Sequence, residues 1–210
     1  MREMKRDKRI SKKLGAKLAL TLLALAELCA CVTAQENTTD YWMDKAEEFA
    51  YNSSFEEVIS SLDEALKTDP GNETILIREA LYLGIVGKVN ESSQTYEKAL
   101  SILDEILLKD PDDAEAWQKK ASVLGSLNRQ NESLAAYEET LEAFNRRIEK
   151  DSKDMDAWIG KGNALLNLGK WDEARNAYNK AIEVDPQDYR AWGRKAEVIG
   201  RIGDINESME

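Results

Sequence analysis

The sequence contains no histidine, and its only two cysteines, Cys29 and Cys31, sit together in one N-terminal apolar segment. Beyond that segment there is neither a disulfide framework nor a Cys/His metal site. The imidazole and thiol on which most nucleophile–base pairs depend are also missing. Carboxylates alone remain for acid–base chemistry, and they are scattered along polar helix positions. No catalytic residue, no metal ligand and no cofactor is therefore expected. Proline occurs three times, at Pro70, Pro111 and Pro186, and no Gly/Ser/Pro-rich linker breaks the chain after residue 40. A single array without a second domain is the expectation. Basic charge is scarce as well once the leader is set apart. Residues 1–34 carry eight Lys/Arg and three Asp/Glu, leaving 21 basic against 37 acidic residues, a net of −16. Such a surface repels phosphate backbones, which argues against nucleic acid as a partner. It serves solubility or attracts a basic partner.

The chain starts with a leader. Arg2, Lys5, Arg6, Lys8, Arg9, Lys12, Lys13 and Lys17 precede an apolar run, Leu18–Ala34, interrupted by Glu27. Val32-Thr33-Ala34 closes the run with small residues where a signal peptidase reads, and Gln35-Glu36-Asn37 turns polar. This is a secretory layout. The run is short for a membrane span and carries a carboxylate, yet an uncleaved anchor stays open. So does a lipoprotein modified on Cys31, from Leu28-Cys29-Ala30-Cys31. All three place the remainder of the chain outside the cytoplasm, in the cell envelope or secreted, because the positive flank stays inside. Residues 1–34 are read as signal peptide or N-terminal anchor and 35–39 as a short polar linker. Six Asn-x-Ser/Thr sites begin at Asn37, Asn52, Asn72, Asn90, Asn131 and Asn206. The last three share one repeat position, where asparagine is expected as a helix N-cap. Asn37, Asn52 and Asn72 are the candidate glycosylation sites of an exported protein.

The stretch 157–186 reads as two amphipathic helices and a tight turn. Trp158, Gly162, Leu165 and Leu166 recur at helical spacing in the first, and Ala174, Tyr178 and Ala181 in the second. Gly169 ends the first helix, and Asp185-Pro186 ends the second. Trp158 has counterparts in Trp117, Leu76 and Trp42 upstream and Trp192 downstream, at intervals of 34, 41, 41 and 34 residues. Four residues on stand Ala46, Ala80, Ala121, Gly162 and Ala196, and the turn position holds Ser53, Gly87, Asn128, Gly169 and Gly203. The pattern resembles the tetratricopeptide repeat, a family of 34-residue helix–turn–helix units. The resemblance runs from about Asp40 to the C-terminus. It implies an all-α fold, a right-handed α-solenoid after the signal segment, with units at about 39–72, 73–113, 114–154 and 155–188 and a partial one at 189–210. Helix pairs are expected at about 40–52 with 55–68, 73–86 with 89–109, 114–127 with 130–150 and 155–168 with 171–184, then a last helix at 189–202. The second and third units are seven residues too long, close to two helical turns. Their excess predicts two adjacent long helices packed together. Arg190, Arg194, Lys195 and Arg201 are expected to make the last helix a polar cap.

In this family the first helices line a concave groove that holds peptide segments of partners. The resemblance places Met43, Glu47 and Tyr51 there, then Ile77, Leu81 and Ile85, then Gln118, Ser122 and Ser126, then Ile159, Asn163 and Asn167, and finally Glu197 and Arg201. Of the family's clamp for a terminal carboxylate, Asn163 alone matches, since Met43, Ile77, Gln118 and Ile159 stand where lysine is needed. Asp40, Glu47, Glu115 and Asp156 near the same face would favour basic flanks on a bound segment. A non-enzymatic scaffold for a protein or peptide partner is the leading reading, touching a membrane only through the N-terminal segment. A membrane- or lipid-anchored assembly factor of an envelope complex and an accessory fragment of a longer repeat protein are the alternatives.

Overall fold

The computed structural model describes residues 38–208, with side chains described through residue 203. The leader, Cys29, Cys31 and Asn37 lie outside the described residues. The described helices are α1 (Thr39–Tyr51), α2 (Phe55–Thr68), α3 (Glu73–Ile85), α4 (Val89–Lys109), α5 (Ala114–Ser126), α6 (Gln130–Lys150), α7 (Met155–Asn167), α8 (Trp171–Val184) and α9 (Tyr189–Ser208). Among the described residues the fold is all-α and built of helix–turn–helix repeats.

The two kinds of helix start differently. First helices open on a side-chain cap: Thr38 accepts from the Tyr41 amide, Asn72 from Thr74 and Ile75, Asp113 from Ala116 and Asp154 from Ala157. Each satisfies a backbone donor that the helix start leaves unpaired. The second helices α2, α6 and α8 follow Ser54, Arg129 and Lys170, and none of these makes a side-chain cap bond. Here the preceding turn sets the chain direction instead. Ser53, Gly87, Asn128 and Gly169 take positive φ of 58°, 84°, 59° and 73°. Glycine enters that region without a Cβ penalty, and the repeat pattern marks all four positions. Asn90 and Asn131 sit one residue inside α4 and α6, so they are not the N-caps expected of them.

Helix packing divides the chain into two compact units that meet at Lys88/Val89, inside the second repeat. In the first unit α1 packs on α2 and α2 on α3. Its core is Ala46, Val58, Leu62, Ala65 and Ile75, flanked by Trp42, Phe49, Leu66 and Tyr82. In the second unit each helix from α4 to α9 rests on the next along the chain. Ala114, Ala143, Phe144 and Ala157 form one core cluster, and Leu165, Ala174, Ala177, Tyr178 and Val198 another.

Two expectations change. Both 21-residue helices, α4 and α6, are present, but they pack extensively on α5 and α7 rather than on each other. A first helix lies between successive second helices, so added length does not bring the long helices together. The last helix runs on through Gly203 to Ser208 instead of ending at 202. Glycine inside a helix costs only about 1 kcal/mol, so Gly203 by itself does not stop it.

Candidate partner-binding site

The three signature tryptophans of the second unit act alike. The indole Nε1 of Trp117 donates to the Pro111 carbonyl at 2.9 Å, that of Trp158 to Ser152 at 3.0 Å and that of Trp192 to Pro186 at 3.0 Å. Each bond ties a first helix to the turn before it. A lysine three residues on, Lys120, Lys161 or Lys195, stands 5.0–5.3 Å from the ring centroid, within cation–π range. These contacts orient the first helices whose free faces carry the candidate site residues.

In the first unit, Ile77 is half-buried while Leu81 and Ile85 are each 51% exposed. Met43 instead packs against the core cluster of α1–α3. Glu47 is exposed and pairs with Arg78 at 3.3 Å. Tyr51 at the end of α1 is almost fully exposed. Asn72, a glycosylation candidate, is occupied at both ends of its amide, accepting from Thr74 and Ile75 and donating to Asp69 at 2.9 Å. Asn52 is exposed, its amide donating to the Glu48 carbonyl.

In the second unit, Gln118 is half-buried, and Ser122 and Ser126 are exposed on α5. Part of their polar capacity is used within the helix, since Ser126 Oγ donates to the Ser122 carbonyl at 3.1 Å. Asn167 does the same to Asn163 at 2.9 Å. Ile159 packs partly against the Tyr178 cluster, so it is a wall of the site rather than a free contact.

Asn163 is the residue around which the rest assembles. Its Oδ1 accepts from the Tyr178 hydroxyl at 2.8 Å, which fixes the amide so that Nδ2 is the end without a partner among the described residues. Tyr178 is fully buried, and that burial pushes its hydroxyl up to about 12. Beside the amide lies an open cavity of about 370 Å³ between α7 and α9, lined by Ile159, Asn163, Tyr189, Arg190, Gly193, Arg194 and Glu197. Arg190 pairs with Asp156 at 2.9 Å and Asp188 at 2.8 Å, while Arg194 and Arg201 pair with Glu197 at 3.2 and 3.1 Å. The Arg190 side chain holds the Asp188 carboxyl below the usual carboxylate range.

The sequence pattern singles out Asn163 but assigns Arg190 and Arg194 to a polar cap of the last helix, whereas both line the cavity beside Asn163. The available signal was two arginines one turn apart at the start of the fifth first helix. Glu47, Glu115 and Asp156, expected to attract basic flanks, are each paired with an arginine: Arg78, Arg147 and Arg190. Their pull on a partner's basic residues is correspondingly reduced. Among the described residues no cluster of three carboxylates could hold a metal ion.

Family models described as tetratricopeptide repeat match residues 156–188 and 114–145, the fourth and third units. No curated protein matches the sequence. Among solved structures, a crystal structure of MamA protein shares 22% identity over 83% of this chain and 87% of that one, at a TM-score of 0.38. MamA 41-end from Desulfovibrio magneticus RS-1 shares 18% over 81% and 89%, at 0.39. The repeat assignment rests on the two family models and on the helix pairs, caps and turns already described.

Proposed function

The chain belongs to the tetratricopeptide-repeat family, and from that premise we propose that it is a non-enzymatic scaffold that works outside the cytoplasm and holds a peptide segment of a protein partner along its first helices. The observation that carries this reading is the cavity at Asn163, where an amide, an apolar wall and two arginine heads converge on one open site. An amide both donates and accepts, so Asn163 suits a partner's backbone. Arg190 and Arg194 suit a partner carboxylate, with guanidinium groups that can release their own acidic neighbours to a bidentate contact. The tyrosine behind the amide keeps it from rotating. Leu81 and Ile85 in the first unit offer a separate place for apolar side chains.

The export half of the reading rests on the basic leader and the small-residue boundary at Ala34. Mass measurement of the mature N-terminus tests it: a start at Gln35 supports cleavage, and a lipid on Cys31 overturns it in favour of the anchored assembly factor. For the binding half, a photocrosslinking residue at position 163 should trap a partner that the same residue at Glu139, exposed on α6, does not. Equal trapping at both positions would sink the groove reading.

A further inference from the structure

Four Asn-x-Ser/Thr sequons lie among the residues whose side chains are described, beginning at Asn52, Asn72, Asn90 and Asn131. The fold treats them unequally. Asn90-Glu91-Ser92 and Asn131-Glu132-Ser133 lie wholly inside α4 and α6, and both serines are buried. The Ser133 hydroxyl is committed as well, donating to the Ala121 carbonyl at 2.7 Å. Asn72 caps α3, with Glu73 and Thr74 already in the helix, and its half-buried amide is held at both ends. Asn52-Ser53-Ser54 instead fills the turn between α1 and α2, so none of its three residues is helical. Asn52 and Ser53 are exposed, as is Tyr51 before them. Ser54 is half-buried, and its hydroxyl makes no cap bond to α2. Among the described residues the Asn52 amide nitrogen makes one hydrogen bond, an exposed one to the Glu48 carbonyl at 3.1 Å.

We propose that Asn52 is a glycan-acceptor site, the described sequon that the folded chain presents to an oligosaccharide-transferring enzyme. Such an enzyme has to reach the asparagine nitrogen together with the hydroxyl two residues on, which a surface turn allows and a helix does not. In the transfer, the Asn52 nitrogen bonds to the anomeric carbon of a glycan carried on a polyprenyl phosphate. The bond from that carbon to the phosphate oxygen breaks, and the lipid phosphate leaves. One amide proton passes to a base of the enzyme. The nitrogen keeps its other proton, so the bond to the Glu48 carbonyl that helps close α1 survives in the product. The three sequons at helix starts react only after local opening, and their closed population slows them. Modification in the cell rests on export of the chain, since sequons are read on exported proteins.

The test incubates the folded full chain with a purified transferase that accepts the bare sequon and with a polyprenyl-linked glycan as donor. Site-resolved mass spectrometry then follows each asparagine. Asn52 should be modified at least about tenfold faster than Asn72, Asn90 or Asn131. Short peptides spanning the four sequons should differ far less, because they carry no fold. Ser54→Ala should abolish modification of Asn52 while far-UV circular dichroism stays unchanged, and Ser54→Thr should retain it. A folded chain left bare at Asn52 overturns the proposal. So does equal modification of the three sequons at helix starts, or the same preference for Asn52 among the peptides, because the fold would then select nothing. Protein recovered from its native cells separates this site from export. A mature start at Gln35 with a bare Asn52 supports export and overturns the glycan. A chain retained in the cytoplasm overturns export alone, since the purified reaction does not depend on it.

Discussion

The fourth and fifth repeats begin alike and end differently. Trp158, Gly162 and Leu165 in one correspond to Trp192, Ala196 and Ile199 in the other. Both tryptophans bond back to the preceding turn, and both carry a lysine over the ring. In the fourth repeat Gly162 and Leu165 are buried under α8, whereas in the fifth Ala196 and Ile199 face outward. The residue types specify a face that can be buried, and the neighbouring helix decides whether it is. A core position in a repeat is thus a property of the stack and not of the residue. Substitutions at matched positions should therefore have very unequal effects.

The largest should come from the second helix that makes the difference. Tyr178 fills the space over Gly162, so Tyr178→Ala should cost about 3–5 kcal/mol, by analogy with other aromatic truncations in cores. Chemical denaturation of the full chain measures this. In the fifth repeat, Ile199→Ala should change stability by less than about 0.5 kcal/mol at concentrations where the chain is monomeric. A comparable loss at both positions would mean that the two faces are not distinguished by burial.

Next comes an alkaline effect centred on the covered fourth repeat, with burial of the Tyr137 hydroxyl in α6 acting in the same direction. The Tyr178 hydroxyl is raised in the folded chain to about 12, against about 10 when unfolded. Between these values the unfolded state has lost the proton and the folded state retains it, so stability falls as pH rises from 10 to 12. Two pH units correspond to roughly 2–3 kcal/mol, less the part that solvent screens. Tyr178→Phe should flatten that slope, while also losing the bond to Asn163, worth about 1 kcal/mol at any lower pH. Burial of Tyr137 leaves a residual slope, so an undiminished slope in the phenylalanine variant is the result that would assign the titration to a different group.

A third contrast comes from close approach. A Cβ at Gly162 would stand 2.4–2.7 Å from the Tyr178 ring, and one at Gly160 2.2–2.5 Å from the Phe144 ring. Gly162→Ala should cost about 1–3 kcal/mol by overpacking. Ala196→Leu, at the matching but open position, should be close to neutral in the same denaturation experiment. Severe destabilisation there would show that α9 is covered after all.

These contrasts also separate the legible from the illegible in the sequence. The in-phase tryptophans, small residues and turn glycines predict the helix pairs and most of their ends, because periodicity and left-handed turn residues act locally. They also point to Asn163 as a groove residue. The resemblance also sets Glu197 of the last helix in that groove, but the parts of Arg190 and Arg194 in the cavity were not legible, since the same arginines suit a polar cap equally well. Met43 and Ile159, expected as groove contacts, turn partly into the core, because a helix position at the edge of the apolar stripe serves both sides. The division at Lys88/Val89 coincides with no composition change and left no mark that periodicity could register.

The smallest effect separates the repeats by cooperativity rather than by energy. Asp154 caps α7 through the Ala157 amide at 2.8 Å and is gripped by Arg147 at 2.9 and 3.1 Å. Asp188 caps α9 through the Arg190 amide at 2.7 Å and pairs with the Arg190 side chain. Asp154→Ala should cost about 1 kcal/mol, the usual value of an N-cap. Because α7 packs on both α6 and α8, and Ala157 is fully buried, loss of that cap should lower the stability of the whole second unit. Because α9 rests on α8, Asp188→Ala should instead fray α9, raising amide hydrogen exchange there while the denaturation midpoint barely moves. Acid should mimic that second variant. The folded Asp188 carboxyl is depressed, so its stabilising contribution is complete above the ordinary aspartate range and is lost as pH falls through the lower folded value. Once the base-catalysed intrinsic rate is divided out, protection in α9 should therefore fall with acid in the wild type and stay flat in Asp188→Ala. If both alanine variants shift the denaturation midpoint equally, α9 unfolds with its unit, and the open repeat is as cooperative as the covered one.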